Sequence, residues 1–226
     1  GGSLDLHMVP ERRNAVKVLL LMDIGGSMDD HIRICQELFS AARGEFKHLE
    51  FYYFHNCPYE RLWRENRRRK ETEKSTQEVL RTYGPDWRLV LVGDATMGPY
   101  EISQPGGSVE HWNEESGVVW MGRLTRHFRR AAWLNPIDQQ HWRYTHSIGM
   151  MQGLMENRMH PLTLAGLESM ARELGPRNIH VAHVVVDGAI DTDFIRDNFP
   201  QKYALKDEDG ILNPEHIADN YLYLHS

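Results

Sequence analysis

The sequence predicts a three-layer α/β fold with a mainly parallel central sheet. Two largely apolar runs without polar alternation, residues 16–22 and 88–93, are typical of strands that are buried on both faces of such a sheet. Between the predicted strands lie segments with apolar residues at helical spacing, which parallel strands need as crossovers. The 226 residues suffice for one large domain or for a domain with an appendage.

Composition narrows the classes of function. No apolar run approaches the roughly 18 to 20 residues of a membrane span, and the first residues lack the apolar core of a signal peptide, so we expect a cytoplasmic protein that does not bind membranes. Cys35 and Cys57 have no metal-ligand spacing and are expected to be free thiols. The net charge of −6 argues against general nucleic-acid binding.

In the first half of the chain, the pattern predicts four strands and two helices. The third strand follows a turn at residues 56–58 and makes a hairpin at one edge of the sheet. The basic run 67–70 is interpreted as a solvated loop, with a docking site for an acidic partner as the less favoured alternative. The predicted strands are 16–22, 49–55, 59–64 and 88–93, and the predicted helices are 29–43 and 77–83, the second preceded by Ser75 and Thr76.

The second half is predicted to complete the sheet on its other side. Its loop is 97–107, its helices are 118–130, 147–156, 164–174 and 214–224, and its strands are 131–134, 159–162 and 179–186. The predicted order in the sheet is hairpin strand, second, first, fourth, fifth and sixth strand, and then 179–186. The four tryptophans 112, 120, 133 and 142 are expected to be packing groups.

Oxygen-bearing side chains follow two of the buried strands. Asp23, Gly25 and Ser27 come at the end of the first strand, and Asp94 comes at the end of the strand 88–93. The carboxyl ends of parallel strands are where open α/β sheets bind ligands, and these oxygens suit Mg²⁺ or Mn²⁺ better than zinc. The alternative is an ordinary turn in which Ser27 caps the following helix. Because two strands each deliver an acid, we favour the metal site.

Several stretches between residues 4 and 174 carry a resemblance to a known family. They read FYYFHN, VGDATM, PYE, WLNP and MHPLTL, and Asp23, Gly25 and Ser27 fit the motif D-x-[SG]-x-S. This part resembles a bacterial von Willebrand factor A (VWA) domain of the CoxE-like kind, whose motif is a metal-ion-dependent adhesion site. The resemblance implies a Rossmann-like fold, with Ser27 bound directly to the metal and Asp23 and Asp94 bound mostly through water.

The same resemblance implies one further ligand, a threonine that precedes a helix. Thr76 matches it best, with Thr72 and Ser75 as rivals. The predicted metal set is therefore Asp23, Gly25, Ser27, Thr76 and Asp94. Gly25 stands where the fuller motif has a second serine, so one hydroxyl ligand is missing and weak binding is expected.

The end of the chain resembles a second family. Residues from about 164 to 226, which include ARELGPRNI and HVAHVVVDG, resemble the C-terminal part of a short-chain dehydrogenase/reductase. Both resemblances share the helix 164–174. We therefore interpret the chain as a chimera, engineered rather than natural, in which a VWA-like domain (1–174) is followed by a strand and helix (175–226) that extend the same sheet.

The chemistry of the reductase family is absent from the sequence. No G-x-x-x-G-x-G turn follows the first strand, and no tyrosine is followed by a lysine four residues later. We expect no NAD(P) binding and no enzymatic activity. The predicted function is a metal-binding interaction module that accepts an acidic protein ligand, and the resemblance implies a MoxR-type AAA+ ATPase as the native partner. The alternatives are a residual dinucleotide-binding oxidoreductase fragment and a purely structural chimera.

Overall fold

The computed structural model describes residues 14–174. Within this part of the chain, seven strands form one sheet. They are β1 (Asn14–Asp23), β2 (Phe46–Phe54), β3 (Arg61–Trp63), β4 (Glu73–Ser75), β5 (Arg88–Val92), β6 (Arg130–Asn135) and β7 (Met159–Pro161). Their order across the sheet is β4-β3-β2-β1-β5-β6-β7.

Residues 14–174 also contain six α-helices and three short 3₁₀-helices. The α-helices are α1 (Ile32–Glu45), α2 (Thr76–Thr82), α3 (Pro99–Ser103), α4 (Gly117–His127), α5 (His146–Leu154) and α6 (Leu164–Leu174). The 3₁₀-helices are Gly26–His31, Lys70–Thr72 and Gln139–Tyr144. None of the described helices has the length and apolar character needed to cross a bilayer.

The sheet confirms the predicted fold class, a mostly parallel α/β sheet in a Rossmann-like three-layer arrangement. Strands β2, β1, β5, β6 and β7 are parallel, whereas β3 and β4 are antiparallel to their neighbours. The predicted strand order is also confirmed as far as β7, with one correction. The hairpin strand β3 is not at the edge, because the three polar residues of β4 pair outside it.

Side chains of the central strands alternate between two apolar layers. Leu19 and Leu21 of β1 face the layer that contains α2, α4 and α5, and Leu20 faces the layer that contains α1 and α6. Because the same alternation recurs in β5 and β6, the middle of the sheet is buried on both faces. This burial accounts for the unbroken apolar runs in the sequence.

Several local predictions were wrong. The predicted helix 29–43 begins later, at Ile32, because the chain after β1 first forms the 3₁₀-helix Gly26–His31. Ser27 lies inside this 3₁₀-helix, so the alternative that it caps the following helix is also wrong. The predicted loop 97–107 contains α3, which begins at Pro99 and is capped by the side chain of Glu101. Trp112 is 74% exposed, whereas the other three of the four tryptophans are buried as packing groups.

Helix α6 is fixed to the sheet at both of its ends. At its start, Thr163 Oγ1 accepts a hydrogen bond from the Gly166 amide (3.2 Å), and Gly166 lies against the Pro161 backbone. At its end, the Leu174 carbonyl accepts hydrogen bonds from Arg88 Nε (2.7 Å) and Arg130 Nη1 (2.9 Å). The predictions for 175–226, including strand 179–186, helix 214–224 and the continuation of the sheet, lie outside the described residues.

Candidate metal centre

Two buried aspartates meet at the carboxyl edge of the sheet. Asp23 is the last residue of β1, and Asp94 follows β5 after Gly93. Strands β1 and β5 are adjacent and parallel, so both acids reach the same edge. Asp23 is only 4% exposed and Asp94 only 2% exposed. The structure therefore brings together the two acids that the sequence predicted as metal ligands.

The two oxygens of Asp23 have different environments. Oδ1 accepts hydrogen bonds from the backbone amides of Gly25 and Asn56, both at 2.8 Å. Oδ2 is buried and accepts no hydrogen bond. Gly93 makes room for this oxygen, because a Cβ on Gly93 would lie 2.8 Å from Asp23 Cβ and 3.1 Å from Oδ2. A buried carboxylate oxygen without a partner is costly, so this position calls for a ligand.

The electrostatics of Asp23 show a shortage of positive charge. Burial, with smaller contributions from the negative charges of Asp94 and Glu101, raises the pKa of Asp23 to about 7. The amides of Gly25 and Asn56 oppose this increase without cancelling it. In the absence of a cation, a proton competes for this carboxylate near neutral pH.

Asp94 organises the neighbouring turn. Its Oδ1 accepts a hydrogen bond from the Thr96 amide (2.8 Å), and Ala95 between them has the left-handed φ of 55°. Asp23 makes the equivalent bond to Gly25, so an ordinary turn explains one oxygen of each aspartate. It does not explain the unpaired Oδ2 of Asp23, nor why both acids are buried. The turn interpretation is therefore incomplete.

Two residues of this site, Glu101 and Asn56, were missed from the sequence. Glu101 on α3 is 4% exposed, and its Oε1 accepts a hydrogen bond from the Gly98 amide at 2.9 Å. Its Oε2 accepts a hydrogen bond from Asn56 Nδ2 at 2.8 Å. Glu101 thus adds a third buried carboxylate beside Asp23 and Asp94. The signal that could have indicated it is the acid two residues after Pro99, where a helix starts in the loop that follows Asp94.

The two hydroxyl residues of the predicted set lie in different environments. Ser27 is exposed on the 3₁₀-helix that follows Gly25. Thr76 is fully buried at the start of α2, where its hydroxyl donates a hydrogen bond to the Tyr59 carbonyl. No hydrogen bond within residues 14–174 joins Thr76 to Asp23 or Asp94. Of the predicted set, the structure groups Asp23, Gly25 and Asp94 most closely.

A cleft of about 280 Å³ opens beside Asp23 and Gly25 on the α1 side of the sheet. Its walls are mainly apolar and come from β1, β2 and α1, with further polar groups from Asp29 and Asn66. The other lining residues are Met22, Ile24, Met28, Ile32, Cys35, Gln36, Phe39 and Tyr53.

Charged pairs lie close to the chain segment that carries Asn56. His55 Nε2 lies 3.5 Å from Glu110 Oε1, and burial lowers the pKa of His55. Arg68 also pairs with Glu110, so this member of the basic run 67–70 is not simply solvated. The run folds back on the loop that contains Glu110, which corrects the sequence interpretation at that residue.

A divalent cation such as Mg²⁺ requires several oxygen ligands. Within residues 14–174, no three His, Cys, Asp or Glu side chains are arranged to hold a metal ion. A cation at this edge would need further oxygens from hydroxyl or amide groups or from water, as Mg²⁺ commonly does. The orphaned Asp23 Oδ2 and the neighbouring buried Asp94 offer oxygen ligands, which fit such a hard cation better than zinc.

The comparisons with known proteins add no family. No protein-family model matches the chain, and the search of the curated proteins finds no significant match. The function proposed below therefore rests on the residues of the site.

Proposed function

We propose that this protein is a divalent-metal-binding interaction module of the VWA type, without catalytic activity. The observation that carries this proposal is the buried Oδ2 of Asp23, which has no hydrogen-bond partner beside two other buried carboxylates. A hard cation would neutralise this charge and satisfy the oxygen. Mg²⁺ is the proposed ion, with Mn²⁺ as a substitute.

Each residue of the predicted set has a proposed role. Asp23 and Asp94 supply negative charge at the ends of β1 and β5, and the exposed hydroxyl of Ser27 is available as an oxygen ligand. The Gly25 backbone amide donates a hydrogen bond to Asp23 Oδ1, and the lack of a side chain on Gly25 leaves space beside this carboxylate. The hydroxyl hydrogen of Thr76 is already donated to Tyr59, so only an oxygen lone pair of Thr76 remains for a ligand.

The proposed partner is a protein that presents an acidic side chain. A cation held by few protein oxygens keeps open coordination positions, and a carboxylate from the partner is a hard ligand for one of them. The family resemblance suggests a MoxR-type AAA+ ATPase as the partner of the native VWA parent. The second resemblance suggests that residues 175–226 come from a reductase and that the chain is a chimera. The composition and net charge favour a cytoplasmic protein with no role in nucleic-acid or membrane binding.

Mg²⁺ or Mn²⁺ should raise the melting temperature of the wild-type protein. Ligand at about 100 times its dissociation constant adds about 2.7 kcal/mol to the free energy of unfolding. Asp23→Asn and Ser27→Ala should each lose most of this increase, measured by thermal unfolding against the same variant without metal. Ser40→Ala, an exposed serine on α1, is the matched control and should respond like the wild type. An equal response in all four proteins would contradict the proposed site.

The main alternative is a residual dinucleotide-binding fragment, and the site argues against it. The place beyond β1 where a diphosphate would bind holds three buried carboxylates, which repel anions. We expect no saturable binding of NAD(H) or NADP(H) in calorimetry at sub-millimolar concentrations. Saturable micromolar binding would instead favour the oxidoreductase fragment.

A further inference from the structure

Asn56 is held directly beside the candidate centre by its backbone. It follows β2, and its amide donates the 2.8 Å hydrogen bond to Asp23 Oδ1. Its φ of 56° is left-handed, a conformation that asparagine adopts more readily than most residues. The Asn56 side chain therefore starts from a fixed point next to the Asp23 carboxylate.

The orientation of the Asn56 amide is set by Glu101. Asn56 Nδ2 lies 2.8 Å from Glu101 Oε2, and an ionised carboxylate only accepts hydrogen bonds, so the nitrogen must face Glu101. Asn56 Oδ1 consequently faces the other way. This oxygen accepts no hydrogen bond from the described residues.

The space that Asn56 Oδ1 occupies is provided by Gly25. A Cβ on Gly25 would lie 2.1 Å from Asn56 Oδ1 and 3.3 Å from Asp23 Oδ1. Gly25 has φ −62° and ψ 155°, an extended conformation that any residue can adopt. The missing side chain of Gly25 is thus needed for room and not for backbone freedom.

We infer that Asn56 Oδ1 is a direct oxygen ligand of the cation, and that Gly25 lacks a side chain so that this amide oxygen can reach the site. This inference rests on the proposed function. Position 25 offers no side-chain oxygen of its own, and an amide carbonyl is a hard ligand suited to Mg²⁺ or Mn²⁺. Glu101 acts as a positioning residue, because it fixes which end of the amide faces Asp23.

The first test measures Mn²⁺ affinity by calorimetry in variants that lack the amide. Asn56→Gly keeps the backbone amide and suits the left-handed φ, and we expect at least about a tenfold loss of affinity, or about 1.4 kcal/mol. Asn157→Gly is the matched control, since Asn157 has φ 61°, is exposed and precedes β7 at the opposite edge of the sheet. Asn56→Ala removes the same oxygen, although alanine fits the left-handed φ less well than glycine does. It should lose Mn²⁺ affinity to the same extent.

The second test needs no metal, because it measures whether the Asn56 side chain fills the space beside Gly25. In urea denaturation, Gly25→Ala should lower the free energy of unfolding of the wild-type protein. The same substitution should lower it much less in the Asn56→Gly variant. Equal costs in both backgrounds would show that Asn56 does not fill this space and would overturn the inference. Unchanged Mn²⁺ affinity in Asn56→Gly would overturn the inference and leave the proposed function intact. Absence of Mn²⁺ binding in the wild type would overturn both.

Discussion

Asp23→Asn should make the metal-free protein more stable at pH 8 while changing its stability at pH 4 very little. The pKa of Asp23 is raised from its ordinary 3.8 to about 7 in the folded protein. As the pH rises from 4 to 7, the unfolded chain releases this proton while the folded protein keeps it, so the wild type loses stability. At about 1.4 kcal/mol per pH unit, the loss reaches about 4 kcal/mol.

A neutral amide escapes this loss and still offers Oδ1 to the amides of Gly25 and Asn56. Urea unfolding with a chelator present, repeated from pH 4 to pH 8, measures the difference between wild type and variant. Asp30→Asn, an exposed acid on the neighbouring 3₁₀-helix, is the control and should follow the wild type. If the curves for Asp23→Asn and wild type stay parallel across this range, the carboxylate is not short of positive charge and the case for a cation weakens.

Gly166→Ala should be among the most destabilising single-methyl additions in the described part of the chain. A Cβ at this position would lie 1.8 Å from the Pro161 carbonyl oxygen and 2.9 Å from the carbonyl carbon. Both atoms belong to the backbone at the end of β7, so relief requires α6 to move away from the sheet. We expect a loss of about 3 kcal/mol in the free energy of unfolding, measured by urea denaturation.

Gly149→Ala is the matched control for this prediction. Gly149 is also a helical glycine, exposed on α5, and nothing lies within 4 Å of the added methyl group. Because alanine favours helix, this change should stabilise the protein by about 0.5 to 1 kcal/mol. The two substitutions should therefore have opposite signs. A neutral Gly166→Ala would mean that α6 is not packed closely on β7.

The central part of the fold could be predicted because burial on both faces leaves a mark in the sequence. Strands β1 and β5 are largely apolar runs. The strands beside them could be inferred from the alternation of predicted helices and strands along the chain. Strand β4 and helix α3 carry no such mark. Each is at most five residues long, and β4 consists of polar residues whose strand conformation depends on pairing with β3.

Asp23 and Asp94 could be predicted for a similar reason, since each lies at the carboxyl end of a buried strand. Asn56 and Glu101 could not, because their contacts join distant parts of the chain. Asn56 bonds to Asp23 across 33 residues and to Glu101 across 45 residues. Such contacts depend on which loops meet at the sheet edge. The metal, its partner, the chimera and the family resemblance stay predictions.

The attachment of α6 also separates the candidate ion from the point where the chain continues. Leu174 is held by Arg88, the first residue of β5, so it lies at the amino edge of the sheet, whereas Asp23 and Asp94 lie at the carboxyl edge. Gly93, which precedes Asp94, lies five residues beyond Arg88 and therefore about 16 Å away at 3.3 Å per residue. This separation is about twice the Debye length of about 8 Å at physiological ionic strength. Two solvent-exposed charges at the opposite ends of the sheet would therefore be largely screened from each other.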